Sequence, residues 1–262
     1  MRILDFFGMT VVVHPDAAAA SHAAADRIAD VVRDRTATAS RAVLGLATGA
    51  TPEKVYHHLV AAHRLGVLSF KHVVTYNLDE YYPIHPLDPR SYRSYMHRHL
   101  FQHVDLPANS AHLLDGTVPE RFVPDHCGQF ERWIEADGGL DLQLLGIGRN
   151  GHIGFNEPTD LPLADALRLP TRLIELHPTT RADAARDFGD PKSVIPRALT
   201  MGVARILSAR SILLLATGAH KAPAVAAALT GPITPRLPAS LLRTEASKVT
   251  WLLDEPAAAQ LP

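Results

Sequence analysis

LGLATGATPEKV, residues Leu44–Val55, opens with apolar residues, turns at Thr48-Gly49-Ala50-Thr51 and continues into a helical pattern from Pro52. The apolar run has no polar alternation, as expected of a strand covered on both faces. Glycine permits a tight turn, and proline suits the first turn of a helix. LLLATGAHKAPAV, residues Leu213–Val225, repeats the same order of strand, Ala-Thr-Gly-Ala and helix. Two copies do not make a solenoid. They predict two similar turns at one edge of a sheet.

Working outward, strands are expected at Thr10–Val13, Ala42–Ala47, His72–Leu78, Leu140–Leu145, Ile212–Ala216 and Val249–Leu253, with a short one at Arg172–Leu176. Between them come helical patterns: an alanine-rich one capped by Asp16 and reaching about Arg35, then Pro52 to about Leu65, Arg90–Phe101, Arg121–Ala136, and one from about Lys221. Strands alternating with helices imply parallel βαβ units. The fold class read from this is α/β: a doubly wound, mostly parallel open sheet, Rossmann-like, with helices on both faces. The Pro-rich stretch Glu157–Leu169 opens a loop or lid region spanning about 157–190. No linker or charge block divides residues 1–262, so a single domain is expected.

The 262 residues carry 26 Lys+Arg against 27 Asp+Glu, so no basic surplus points to nucleic acid or anionic lipid. An anionic ligand would need a local site. The lone Cys127 excludes an intramolecular disulfide and suits a cytoplasmic location. No run is long and apolar enough for a membrane span, and Asp5 near the start argues against a signal peptide. His99 and His103 would share a helix face beside His97, a spacing that can bind metal, but a solvated face is the simpler reading.

Polar residues follow several strands directly. In a parallel sheet these strand ends gather at one edge, where ligands bind. Thr48, Gly49, Ala50 and Thr51 precede a helix N-terminus, which favours an anion. Lys221 stands in the echoing turn, and together the two turns suggest a phosphate clamp. Asp79 and Glu80 follow a buried strand, where desolvation can tune a carboxylate into a general base. His152 lies five residues before Glu157, close enough for the carboxylate to fix the imidazole tautomer. Gly146, Gly148 and Gly151 match GxGxxG in form. The prolines that follow leave no long helix, so these glycines are read as a tight bend around His152 and not as a dinucleotide site.

Taken together, GLATGATP (Gly45–Pro52), FKHVVTYNLDEYYP (Phe70–Pro83), SYRSYMHRHLF (Ser91–Phe101), LLGIGRNGHIGFNEP (Leu144–Pro158), ALTMGVARIL (Ala198–Leu207) and ATGAHKA (Ala216–Ala222) resemble the glucosamine-6-phosphate deaminase (isomerising) family, in the family's order. The NGHIGFNEP stretch separates that group from related phosphogluconolactonases. The resemblance implies deamination of glucosamine 6-phosphate to fructose 6-phosphate with no metal or cofactor, on a small-molecule aminosugar phosphate. A galactosamine 6-phosphate deaminase and a non-catalytic sugar-phosphate sensor are the alternatives. By resemblance His152 opens the sugar ring with support from Glu157 and Asn150, Asp79 moves a proton between C2 and C1, and Arg186 joins Lys221 and the Gly49 turn on the phosphate. Asn150 stands where some relatives carry Asp, so the pH profile of ring opening should differ. Ile174 replaces an activator-binding lysine, while Arg172 keeps a neighbouring arginine, so only weak activation by N-acetylglucosamine 6-phosphate is expected. The family includes monomers and hexamers, and a homo-oligomer is left open.

Overall fold

The computed structural model describes residues 1–262 apart from the side chains of Asp187 and Pro191. In chain order the strands are β1 (Arg2–Phe6), β2 (Met9–His14), β3 (Ala42–Leu46), β4 (Val73–Asn77), β5 (Asp79–Tyr82), β6 (Ala111–His112), β7 (Leu142–Leu145), β8 (Arg172–Glu175), β9 (Arg197–Thr200), β10 (Ile212–Ala216) and β11 (Val249–Asp254). The α-helices are α1 (Ala17–Ala37), α2 (Ala50–Arg64), α3 (Tyr92–His99), α4 (Val123–Ala136), α5 (Leu163–Ala166), α6 (Pro178–Phe188), α7 (Val203–Leu207) and α8 (Ala222–Thr230).

Eight strands form one sheet in the order β1-β2-β11-β10-β7-β3-β4-β6, and every neighbouring pair but β1–β2 is parallel. Successive residues of a strand point to opposite faces. Every residue of β3, β4, β7 and β10 is buried, so both faces of the sheet centre are covered. On one face, α4 sets Phe130 edge-on against Tyr76 of β4, whose hydroxyl donates to Asp137 at 2.6 Å. The Rossmann-like α/β expectation holds. Asp16 caps α1 as expected, accepting from the Ala19 amide at 2.8 Å, a contact of about 1 kcal/mol.

The structure corrects the sequence reading in four places. Asp79 and Glu80, expected in the polar turn Asn77–Glu80 that follows the strand, instead begin strand β5, which joins β8 and β9 in a second, antiparallel sheet of three strands. Residues 157–190 are more ordered than a loop, since they hold α5, β8 and α6. The first strand is preceded by another, β1, in a hairpin whose turn is Phe7-Gly8. The helix expected to reach Phe101 ends at His99, because Leu100 leaves helical geometry at φ −138°. His103 therefore lies in a separate 3-10 turn and does not share a helix face with His99. Among the described residues no group of three His, Cys, Asp or Glu side chains could hold a metal ion, and no helix is long and apolar enough to cross a membrane.

Candidate active site

The strand order places the carboxyl ends of β10, β7, β3 and β4 side by side. The loops that follow them line a cavity of about 550 Å³. After β3, Gly49 caps α2 with φ +100°, a left-handed conformation that glycine adopts without strain. Gly49 has no side chain to cap this helix, and its first amides face the cavity with the positive end of the helix dipole behind them. After β10, Gly218 repeats the turn at φ +90°. The two turns differ in one respect. The Gly218 amide already donates to both Asp254 carboxylate oxygens at 3.0 Å. The second turn thus presents a side chain, Lys221, in place of that amide. Lys221 is half-buried in the cavity wall, and burial pushes its ammonium below the ordinary value, with Arg149 acting the same way and Asp183 opposing. Arg186 reaches the same cavity from α6.

The loop after β7 builds the opposite wall. The Gly148 amide donates to the His152 carbonyl at 3.0 Å, closing a tight turn. The imidazole lies directly over Gly148, where a Cβ would come within 2.2 Å of the ring. The expected bend around His152 is therefore real, and it needs glycine. Asn150 Nδ2 donates to Glu157 Oε2 at 2.9 Å. A carboxylate only accepts, so the Asn150 amide oxygen must face His152, whose Nδ1 lies 2.8 Å away. Nδ1 therefore carries the proton and Nε2 is left as the basic nitrogen. Glu157 Oε2 is 3.5 Å from the same Nδ1, and Glu157 Oε1 accepts the His177 amide at 3.2 Å. Burial pushes Glu157 up, but hydrogen bonding and charge at His152, with hydrogen bonds from Thr180 and Asn150, outweigh it and hold the carboxyl below its usual value.

The small sheet supplies Asp79 as the first residue of β5. Asp79 is 5% exposed, and no hydrogen bond to its carboxylate forms among the described residues. Burial, then the charge of Glu80, raises Asp79 well above the ordinary carboxylate value. Its neighbour Glu80 turns the other way. Glu80 accepts the amides of Tyr92 at 2.8 Å, Arg93 at 3.0 Å and Tyr81 at 3.0 Å, so it caps α3. Burial still pushes Glu80 up to about 7 against those amide bonds. The same sheet anchors the His152 loop: the Phe155 amide donates to Thr200 Oγ1 at 3.0 Å, and Asn156 Nδ2 donates to the Met201 carbonyl at 2.9 Å. Arg172 on β8 donates to Asn156 Oδ1 at 2.9 Å.

Thr48, Gly49, Ala50, Thr51, Asp79, His152, Arg186 and Lys221 all line the one cavity. Asn150 and Glu157 do not; they stand behind His152. The sequence reading missed Tyr92, Arg149, Thr180 and Asp183, which also line it. Thr180, Asp183 and Arg186 recur at a spacing of three residues on α6, a pattern that could have revealed the inward face.

The chain is similar to known proteins over most of its length. A model of the family described as glucosamine-6-phosphate isomerases/6-phosphogluconolactonase matches residues 15–251. A glucosamine-6-phosphate deaminase from Rhodopirellula baltica is 47% identical over 247 residues, covering 94% of each chain. One from Geobacillus is 43% identical over 236 residues, covering 90% of this chain and 91% of its own. The solved structure of a monomeric glucosamine-6-phosphate deaminase superposes with a TM-score of 0.88 at 40% identity, covering 95% of this chain and 98% of that one. The 6-phosphogluconolactonase of Trypanosoma brucei shares the fold, with a TM-score of 0.78 at 19% identity, covering 98% of this chain and 100% of that one. The chain belongs to the glucosamine-6-phosphate isomerase/6-phosphogluconolactonase family.

Proposed function

We propose that the chain converts glucosamine 6-phosphate and water to fructose 6-phosphate and ammonium. The observation that carries this reading is the pairing of two groups on one cavity: the buried Asp79 carboxylate, and a His152 whose unprotonated nitrogen is Nε2. Around them stands a wall suited to a phosphate, made of the Gly49 turn, Lys221 and Arg186. The reading requires a phosphate there to leave the sugar's reacting carbons between the two acid–base groups.

His152 Nε2 takes the proton of the anomeric hydroxyl and returns it to the ring oxygen, which opens the ring. Asn150 and Glu157 hold the imidazole in the tautomer this requires. Asp79, ionised, removes the C2 proton while a proton of the C2 ammonium group passes to the C1 carbonyl oxygen, which gives an enolamine; Asp79 then returns its proton to C1, leaving an iminium at C2. The iminium takes up water, and ammonium leaves as the C2 ketone forms. Desolvation suits Asp79 to this work, because a carboxylate with a raised pKa is the stronger base. Glu157, held below its usual pKa, stays ionised near neutral pH and supports positive charge on His152 that Asn150 cannot. Lys221 and Arg186 offer charge-assisted hydrogen bonds to the phosphate, and the amides at the start of α2 add the helix dipole.

The test is a parallel assay with glucosamine 6-phosphate, galactosamine 6-phosphate and 6-phosphogluconolactone, measuring ammonium, ketose phosphate and acid. Ammonium and fructose 6-phosphate in equal amounts from the first substrate is the expected result. Turnover of the lactone alone would overturn the reading.

A further inference from the structure

The cavity-facing residues of α6 carry different chemistry along the helix. Thr180 Oγ1 lies 3.1 Å from His152 Nδ1 at one end, and Arg186 lines the cavity at the other. Between them stands Asp183, a carboxylate on a cavity whose lining also gathers Lys221, His220 and Arg149. Unpaired, it would repel a phosphate. Arg149 Nε donates to Asp183 Oδ2 at 3.0 Å, and a second contact joins Nη2 to Oδ1. Two-point contact fixes the plane of the guanidinium against the carboxylate. Arg149 directly precedes Asn150 in the tight loop that carries His152. The ion pair therefore spans from the catalytic loop to the helix that carries Arg186.

We propose that Arg149 and Asp183 are a positioning pair that clamps α6 against the His152 loop, cancels the charge of Asp183 inside the anion site and sets Arg186 and Lys221 for the phosphate. This rests on the phosphate-binding reading of the cavity. Neither residue is a catalytic residue, and the pair acts through the clamp it forms.

The test compares Arg149→Ala, Asp183→Asn and the exchanged pair Arg149→Asp with Asp183→Arg. Each single variant should raise KM for glucosamine 6-phosphate about three- to five-fold, the scale of a partly exposed ion pair, and change kcat by less than about two-fold. The exchanged pair should recover most of the lost KM. A different pattern would overturn the proposal: Arg149→Ala raises KM, Asp183→Asn leaves or lowers it, and the exchange gives no rescue. Arg149 would then bind phosphate directly. Calorimetric titration with inorganic phosphate keeps this separate from the deamination reading. If the wild type releases no ammonium yet binds phosphate more tightly than both single variants, the reaction assignment fails and the pair stands. If all variants bind phosphate equally, the pair fails whatever the activity.

Discussion

The wall contributed by the turns after β3 and β10 and the wall built around the small sheet meet at one cavity, yet they are assembled by different means. The first is mostly backbone and fixed charge: a helix N-terminus without a side-chain cap after Gly49, and a lysine presented by a glycine turn. The second is a network of side chains. Asp79 starts β5, Thr200 and Met201 at the end of β9 hold the His152 loop, and Asn150 and Glu157 orient the imidazole. Backbone amides bind an anion equally well throughout a reaction. Titratable side chains can change protonation state during it. The first wall should therefore govern binding and the second should govern turnover.

Removing the base gives the largest expected effect and the sharpest test of that division. Asp79→Asn should lower kcat by on the order of 10² or more, with a much smaller change in KM. A raised Asp79 pKa also means that the wild-type rate falls on acidification well above the usual carboxylate range, because the ionised form is the base. A pH–rate profile checks this. An Asp79→Asn variant that lost affinity but kept its turnover would erase the distinction between the walls.

The mirror experiment is Lys221→Ala, which removes a charge-assisted contact from the first wall. KM for glucosamine 6-phosphate should rise on the order of ten-fold while kcat changes little, and competition by inorganic phosphate should weaken in parallel. Steady-state kinetics with and without phosphate measures both.

A smaller effect concerns Glu80, the carboxylate beside Asp79 that serves structure instead of chemistry. Its folded pKa of about 7 lies above the ordinary value of 4.5. The folded state therefore holds this proton more tightly than the unfolded one. The stability it contributes is complete below about pH 4.5 and is lost as pH rises through about 7. Glutamine cannot titrate. Denaturant unfolding should show the wild type losing stability relative to Glu80→Gln across that window, and parallel curves would remove Glu80 from the account.

The two walls also differed in how far they could be read from sequence. AVLGL and ILLLA are apolar without a break, so two buried parallel strands and the turns beyond them were legible. The local ATGA echo was enough to place Gly49 and Lys221 at one edge. Of the small sheet only β8 was legible, as the short strand expected at Arg172–Leu176; its partners and pairing were not. The sheet's strands DEYY, RLIE and RALT are four residues each and mix charged with apolar residues, so no period stands out. Asp79 could be named as a base from its place after a buried strand, but its strand partners could not, because pairing with β9 depends on contacts more than a hundred residues away. Strand β1 escaped for a related reason: it is a largely exposed edge strand carrying Arg2 and Asp5, and only Leu4 and Phe6 pack part-buried against the core, too short a pattern to stand out. The three-residue spacing on α6 marks Asp183, but its pairing with Arg149 was missed because an ion pair between a loop and a distant helix leaves no local signature.

The most direct measurement follows a hydrogen atom. Glucosamine 6-phosphate carrying deuterium at C2 is turned over in ordinary water, and the fructose 6-phosphate is read by NMR. A single carboxylate that is 5% exposed should return a substantial fraction of the deuterium to C1 before water exchanges it. Deuterium at C1 in the wild-type product is the predicted result. Product with no deuterium at C1, all of it lost to water, would contradict Asp79 as the shielded shuttle between the two carbons.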